Sequence, residues 1–260
     1  MSTLVQPGPV LAVALVLLAL TAAAVSRYAC LGHDRAVLVA SGRAVVQLAA
    51  VSLVLLAVVR SWPLTLLFVT TMYAVASWTA GRRVVQSRAA GRAAGWAAGR
   101  AAGRAAGWAA VPVGLGTLPV VAGLVLAGVV PAQGIAVVPV AGILIGGAMT
   151  ATALAGRRAV DELIARRGEV EAGLAIGLLP RDAALEVCRP AAGQALVPAL
   201  DQTRTVGLVA LPGAFVGTLL GGATPVEAGA VQVLILVALL AVQAVAVAAT
   251  VELVARGTLR

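Results

Sequence analysis

The 260-residue chain contains no lysine; all 19 of its basic residues are arginine. This excludes a P-loop of the G-x-x-x-x-G-K-[ST] type and a Schiff-base lysine. If ATP is used, a partner chain must bind it, and no cofactor is expected on this one. One histidine and two cysteines, Cys30 and Cys188, cannot build a tetrahedral Cys/His metal centre within one chain, so no metal ligands are assigned. Aromatic residues make up only 3% and charged residues 11%. Such scarcity of charge, beside 61% apolar residues and a mean hydropathy of +1.04, excludes an ordinary soluble domain. What remains is an all-α polytopic protein of the lipid bilayer. Its net charge of +9 does not indicate a nucleic-acid partner, because the arginines follow membrane boundaries and do not gather on one basic face.

Seven apolar runs qualify as spans of about 20 residues. They are Pro9–Ser26, Val37–Val59, Pro63–Ala80, Ala109–Val130, Gly134–Ala155, Thr205–Gly222 and Val226–Val254. With this count, every arginine except Arg60 falls on one side. The positive-inside rule then predicts a multi-pass protein of the cell inner (plasma) membrane, N-terminus outside and C-terminus cytoplasmic. The whole chain, 1–260, reads as one transmembrane domain with two cytoplasmic insertions.

The first insertion, 81–108, repeats Arg/Trp-Ala-Ala-Gly. Four-residue spacing advances about 40° per step on a helix, so arginine and tryptophan drift around it without keeping a face. Two readings stay open, an interfacial basic helix and a tandem duplication lengthening a connection. The second insertion, 156–202, has more order. Val160, Leu163, Ile164, Val170 and Leu174 recur at helical spacing. Opposite charges stand four apart at Arg157–Asp161, Arg158–Glu162, Glu162–Arg166 and Arg167–Glu171. The pattern predicts a helical extension of span five, a break near Gly177 to Pro180, and a short helix from Arg181 to Arg189. A helix–break–helix at the membrane surface has the form of a knob for a partner's groove; an ordinary amphipathic connector is the plainer alternative.

Polar groups inside spans are costly and each is a functional candidate. Arg43 and Gln47 stand one turn apart in span two; they line a path, or Arg43 snorkels while Gln47 bonds a neighbour. Met149 is one of two thioethers within the spans. Pro212-Gly213 breaks span six, and Gln232 lies in span seven. These five, Arg43, Gln47, Met149, Pro212 and Gln232, are the pathway candidates. The glycines at 142, 146, 213, 217 and 221 read as stripes for close helix packing. No acidic residue lies mid-span, which counts against a proton-coupled carrier.

Glu171-Ala172 and Gly177, then Val187 and Arg189-Pro190, resemble the E-A-A-x3-G…I-x-L-P docking loop of ABC-importer permeases, with Val and Arg replacing Ile and Leu. A longer resemblance runs from about Val39 to Val237. It rests on Gly42-Arg43-Ala-x-x-Gln47-Leu48, Val138-Pro139-x-Ala-Gly142, Gly147-Ala148-Met149 and Thr205-Val206-Gly207-Leu208-Val-x-Leu211-Pro212-Gly213, followed by Gly217, Gly222, Pro225, Ala228 and Gln232. In these blocks the chain resembles the permease subunit of the bacterial iron-export ABC transporter family, which includes plant permeases linked to aluminium tolerance. Gly147 stands where that family usually carries Asn. The resemblance implies a permease homodimer working with a separate ABC ATPase subunit that carries the ATP, and export of a metal species. Glu171, Gly177, Pro180, Arg181 and Asp182 are the expected ATPase-docking residues. An ATPase-independent channel or carrier, and a non-transport membrane scaffold, are the competing readings.

Overall fold

The computed structural model describes residues 8–89 and 97–257. Arg92 and Trp96 of the repeat lie outside the described residues. The chain is a polytopic all-α membrane protein, and among the described residues there is no β-strand. Ten helices follow in order: α1 Pro9–Tyr28, α2 Asp34–Val59, α3 Trp62–Ala89, α4 Ala97–Leu126, α5 Gly134–Ala165, α6 Arg167–Ala175, α7 Pro180–Gly193, α8 Val197–Thr205, α9 Gly213–Leu220 and α10 Pro225–Ala255. A 3-10 turn, Gln194–Leu196, joins α7 to α8. Six of these, α1 to α5 and α10, are long and apolar enough to cross a membrane.

Two compact units are distinguished, one ending at Arg60 and one beginning at Ser61. The first is the hairpin of α1 and α2. Its turn places Cys30 and Gly32 at φ of 53° and 70°.

The second unit is a helix bundle whose directions can be read from close approaches. Gly142 lies against Met72 and Gly156 against Val84, a near-constant offset that makes α3 and α5 parallel. Gly147 meets Gln243 and Gly156 meets Thr250, so α10 is parallel to both. Helix α4 runs the other way: Gly116 sits against Val242, while Trp108 and Ala109 join a cluster with Val247 and Val251. The tightest approach to backbone is at Gly116, where a Cβ would come within 2.6 Å of the Val242 carbonyl oxygen. A backbone oxygen cannot swing aside, so only glycine fits there. In lipid such dispersion contacts hold helices together, because the surrounding acyl chains are as apolar as the core.

Two apolar clusters fill the bundle. One, mid-bundle, includes Val113, Ala141, Leu144, Ala148, Ile235 and Val242. The other, at the arginine-rich end, joins Ala80, Val84, Ala155 and Val160 to Ala184, Leu185 and Cys188 of α7.

The stretch read as span six is the main departure from the sequence pattern. Helix α8 ends at Thr205, residues 206–212 are non-helical, and α9 has only 8 residues. Gly207 takes φ of 80°, and Val206 and Ala210 bridge across the turn. Pro212 has no N–H to continue a helix and disfavours helical backbone at Leu211. The chain must nonetheless travel the length of the bundle here. Helix α7 is bonded to Glu252 at the end of α10, α9 packs on α10 and is joined to its start by residues 221–224, and α5 and α10 are parallel. The crossing is therefore discontinuous.

The expected loop 81–108 is shortened from both sides. Helix α3 continues to Ala89 and α4 begins at Ala97, well before its apolar segment. Alanine-rich sequence extends a helix readily even though each glycine costs about 1 kcal/mol. Trp108 is buried in the cluster at the arginine-rich end. Helix α5 runs ten residues past Ala155 and stops at Arg166, earlier than the continuous extension through Leu174 that the spacing predicts.

Candidate docking hairpin and membrane-depth residues

The α6–α7 hairpin is built by local sequence. Gly177 adopts φ of 93°. Its N–H donates to the Leu174 carbonyl, and the Leu178 N–H donates to the Gly173 carbonyl, both at 3.0 Å. This pair of bonds is the Schellman cap that ends a helix with a left-handed glycine. Leu179 is extended and Pro180 opens α7, where its missing N–H costs nothing. Gly173 lets α6 approach α7: a Cβ there would stand 3.2 Å from the Ala183 Cβ.

One face of α7 buries Ala183, Ala184, Leu185, Val187, Cys188 and Ala192. The helix packs on α5 and α10. Burial pushes the Cys188 thiol up from its ordinary value, so it is an inert packing group. Outside the hydrocarbon, burying a side chain such as Leu185 contributes roughly 1.5–3 kcal/mol.

Charge pins the hairpin at three places. Arg181 donates to both oxygens of Glu252, Nε to Oε1 at 2.6 Å and Nη2 to Oε2 at 2.7 Å. Arg256 donates to the same carboxylate at 2.6 Å. Arg158 reaches the Gln194 side-chain oxygen at 3.0 Å, in place of the expected partner Glu162. At the α5–α6 corner, Arg166 bonds Glu162 at 3.3 Å and also Glu169. The Arg166 guanidinium holds the Glu169 carboxyl below the usual range, and Glu252 raises Arg181 further above its own.

All five sequence-expected docking residues lie on this hairpin. Glu171 pairs with Arg167 at 2.8 Å, and Asp182 with Arg181 at 2.7 Å. Gly177 and Pro180 form the break itself. Arg181, expected to offer a contact charge to a partner, is half-exposed and bonded to Glu252. At the tip, Ile176 and Leu179 are 82% and 67% exposed, an unusual cost for a segment flanked by charge. Sequence reading missed Glu252, which lies 71 residues from Arg181. Its only signal was local, an acid at the end of an apolar span with Arg256 four residues on.

The pathway candidates are divided between the two units, and those of the second are spread in depth. Arg43 and Gln47 are exposed on α2, in the first unit. Met149 packs between the two apolar clusters. Gln232 is 4% exposed, and its side-chain oxygen has no hydrogen-bond partner. Because Gly147 sits beside Gln243 and the two helices are parallel, Met149 and Gln232 lie about 20 Å apart in depth, roughly thirteen residues at 1.5 Å each. Pro212 caps α9, with its carbonyl accepting from Val216 N–H at 3.2 Å. Helix α9 is joined to α10 by only 221–224, which puts the Pro212 break near the depth of Gln232. A Cβ on Gly147 would meet the Gln243 amide nitrogen at 3.0 Å, so an amide from α10 occupies that space. Gly213 and Gly217 have no described residue within 4 Å of a Cβ, so no close helix contact is seen at that part of the stripe. Among the described residues, no group of three or more His, Cys, Asp or Glu is placed to hold a metal ion.

These features define a multi-pass helical membrane protein with an ordered, charge-pinned hairpin at the arginine-rich end of its bundle. The chain belongs to the UPF0014 family, described as "Uncharacterised protein family (UPF0014)", whose model matches residues 10–259. It is 35% identical over 230 residues to UPF0014 membrane protein STAR2 of Oryza sativa subsp. japonica, covering 88% of this chain and 74% of that protein. It is 30% identical over 207 residues to Probable iron export permease protein FetB of Escherichia coli (strain K12), covering 79% and 74%. Over 113 residues it is 40% identical to Protein ALUMINUM SENSITIVE 3 of Arabidopsis thaliana, covering 44% and 41%. No solved structure matches the chain.

Proposed function

We propose that this chain is the permease subunit of an ATP-driven exporter, powered by a separate ATPase that docks on the α6–α7 hairpin. The observation that carries the reading is the hairpin itself. It exposes apolar residues at its tip while its base is bonded to the ends of α5 and α10. A push on Ile176 or Leu179 would reach two bundle helices through a rigid connection. The arginine-rich end faces the cytoplasm in this reading, with the N-terminus outside and the discontinuous α8–α9 segment counting as a crossing. The membrane is the cell inner membrane, and two copies work with two ATPases. The cargo is iron or another metal species, in keeping with the name of the Escherichia coli relative. Pro212 and Gln232 are the pathway residues that the fold keeps close in depth.

The test is gentle purification of the tagged protein from its own membranes, with mass-spectrometric identification of stoichiometric partners. Recovery of a soluble P-loop ATPase, lost when Ile176 and Leu179 are both replaced by Asp, supports the proposal. Recovery of the permease alone, with transport by that preparation in liposomes, moves the assignment to an ATPase-independent channel or carrier. A bound partner without movement of any solute moves it to a scaffold.

A further inference from the structure

Beside the hairpin, between α7, the 3-10 turn and the last third of α10, lies a groove of about 390 Å³. Its apolar walls are Leu185, Leu196, Val247, Ala248 and Val251, and Arg189 and Glu252 line it as well. We propose that this groove binds an anionic glycerophospholipid, with an acyl chain along the apolar wall and the phosphate on Arg189.

Depth comes first. Starting from Val226, about 20 residues at 1.5 Å each cross a 30 Å hydrocarbon layer and end near Val245. The groove lines α10 from Ala244 to Glu252, where acyl chains give way to headgroups. Apolar walls at that depth meet lipid.

Charge comes second. The carboxylate in the groove, Glu252, is already matched by Arg181 and Arg256, each bonded at 2.6 Å. Arg189 is exposed and has no acidic partner within salt-bridge distance among the described residues. An unpaired guanidinium over an apolar trough fits a phosphodiester whose tails need cover, since arginine binds phosphate oxygens through a planar fork of donors. Basic pockets between helices at the headgroup level are a recurrent form of lipid recognition. A small soluble anion would leave the apolar wall unexplained. The inference needs only membrane residence, so it stands or falls separately from the ATPase reading.

The full-length protein, purified in mild detergent, is titrated with phosphatidylglycerol or phosphatidylcholine and bound lipid is counted by native mass spectrometry. Phosphatidylglycerol is expected to bind in preference, and Arg189→Gln to weaken it about 5-fold, the factor for the ~1 kcal/mol that one basic residue contributes near a membrane surface. Ala248→Trp, which fills the groove from an exposed position and leaves Arg189 intact, should also lower retention. Equal retention of both lipids, or no change in Arg189→Gln, would overturn the proposal. So would full displacement of the lipid by inorganic phosphate, which would show an anion site without a role for the groove.

Discussion

Two helix–break–helix segments lie within fifty residues of one another and use the same punctuation to opposite ends. In the first, Gly177 at φ of 93° is followed by Pro180, which opens α7. In the second, Gly207 at φ of 80° is followed by Pro212, which caps α9. Helix α7 buries six side chains and is tied to the bundle by charge, whereas α9 buries none. Local sequence sets where a chain turns; the medium around the turn sets how firmly it is held. Outside the hydrocarbon, water drives apolar burial and leaves ion pairs free to add geometry. Within lipid, apolar burial contributes little, and a broken helix is kept only where protein or a cavity receives its freed backbone groups.

The comparison breaks most sharply at Gly177. Replacement by Pro removes the N–H that bonds Leu174 and forbids positive φ, so the hairpin should lose its shape. ATP-driven transport should be abolished while membrane insertion, followed by fractionation, is unchanged. Normal transport by Gly177→Pro would remove the hairpin from the mechanism.

Charge reversal is the next test. Arg181→Glu or Glu252→Arg alone is expected to reduce transport roughly 5- to 150-fold, the range of a typical coupling free energy. The double exchange should restore most of it. Because exposed pairs contribute little to stability, thermal unfolding should barely move, and a large loss of stability in the singles would make the pair merely structural.

Packing sharpens the same contrast. Leu185→Ala on α7 should cost about 2–5 kcal/mol and expose the hairpin to proteolysis. Leu220→Ala on α9, where the side chain is exposed, should change stability by no more than about 0.5 kcal/mol. Equal effects would contradict the assignment of one break to a packed base and the other to a loose crossing.

The smallest effect concerns acid. Arg166 depresses the Glu169 carboxyl. Its contribution is therefore present above the unfolded value, roughly 4.3 for Glu, and is lost as pH falls through the lower folded value. Amide exchange in α6 should quicken below about pH 4, and Glu169→Gln should remove that acid dependence. Faster exchange on raising the pH, after correction for intrinsic rates, would have the wrong sign.

Much of this was legible in one dimension. The spans, the break at Gly177 to Pro180 and the Arg167–Glu171 pair all follow from periodicity or from residues at most four apart. Arginine asymmetry placed the hairpin and the ends of α3, α5 and α10 together. By contrast, Arg158 turned to Gln194 and Arg181 to Glu252, choices that depend on which helices pack side by side. The break of span six at Pro212-Gly213 was legible too, but its hydropathy does not register that the chain already leaves the helix at Val206 and Gly207.

By itself, then, the sequence determined an all-α membrane protein, the approximate places where its helices begin and end, and a charged break at Gly177 to Pro180. Those properties depend on composition, helical period and the conformational limits of glycine and proline. Tertiary structure alone decided that α3, α5 and α10 run parallel, that the chain returns through a broken segment, and that Glu252 anchors the hairpin. It also opened the groove beside Arg189. These depend on contacts between residues far apart in the chain, where close fit at positions such as Gly116 and pairing across helices select one arrangement among many with the same hydrophobic pattern.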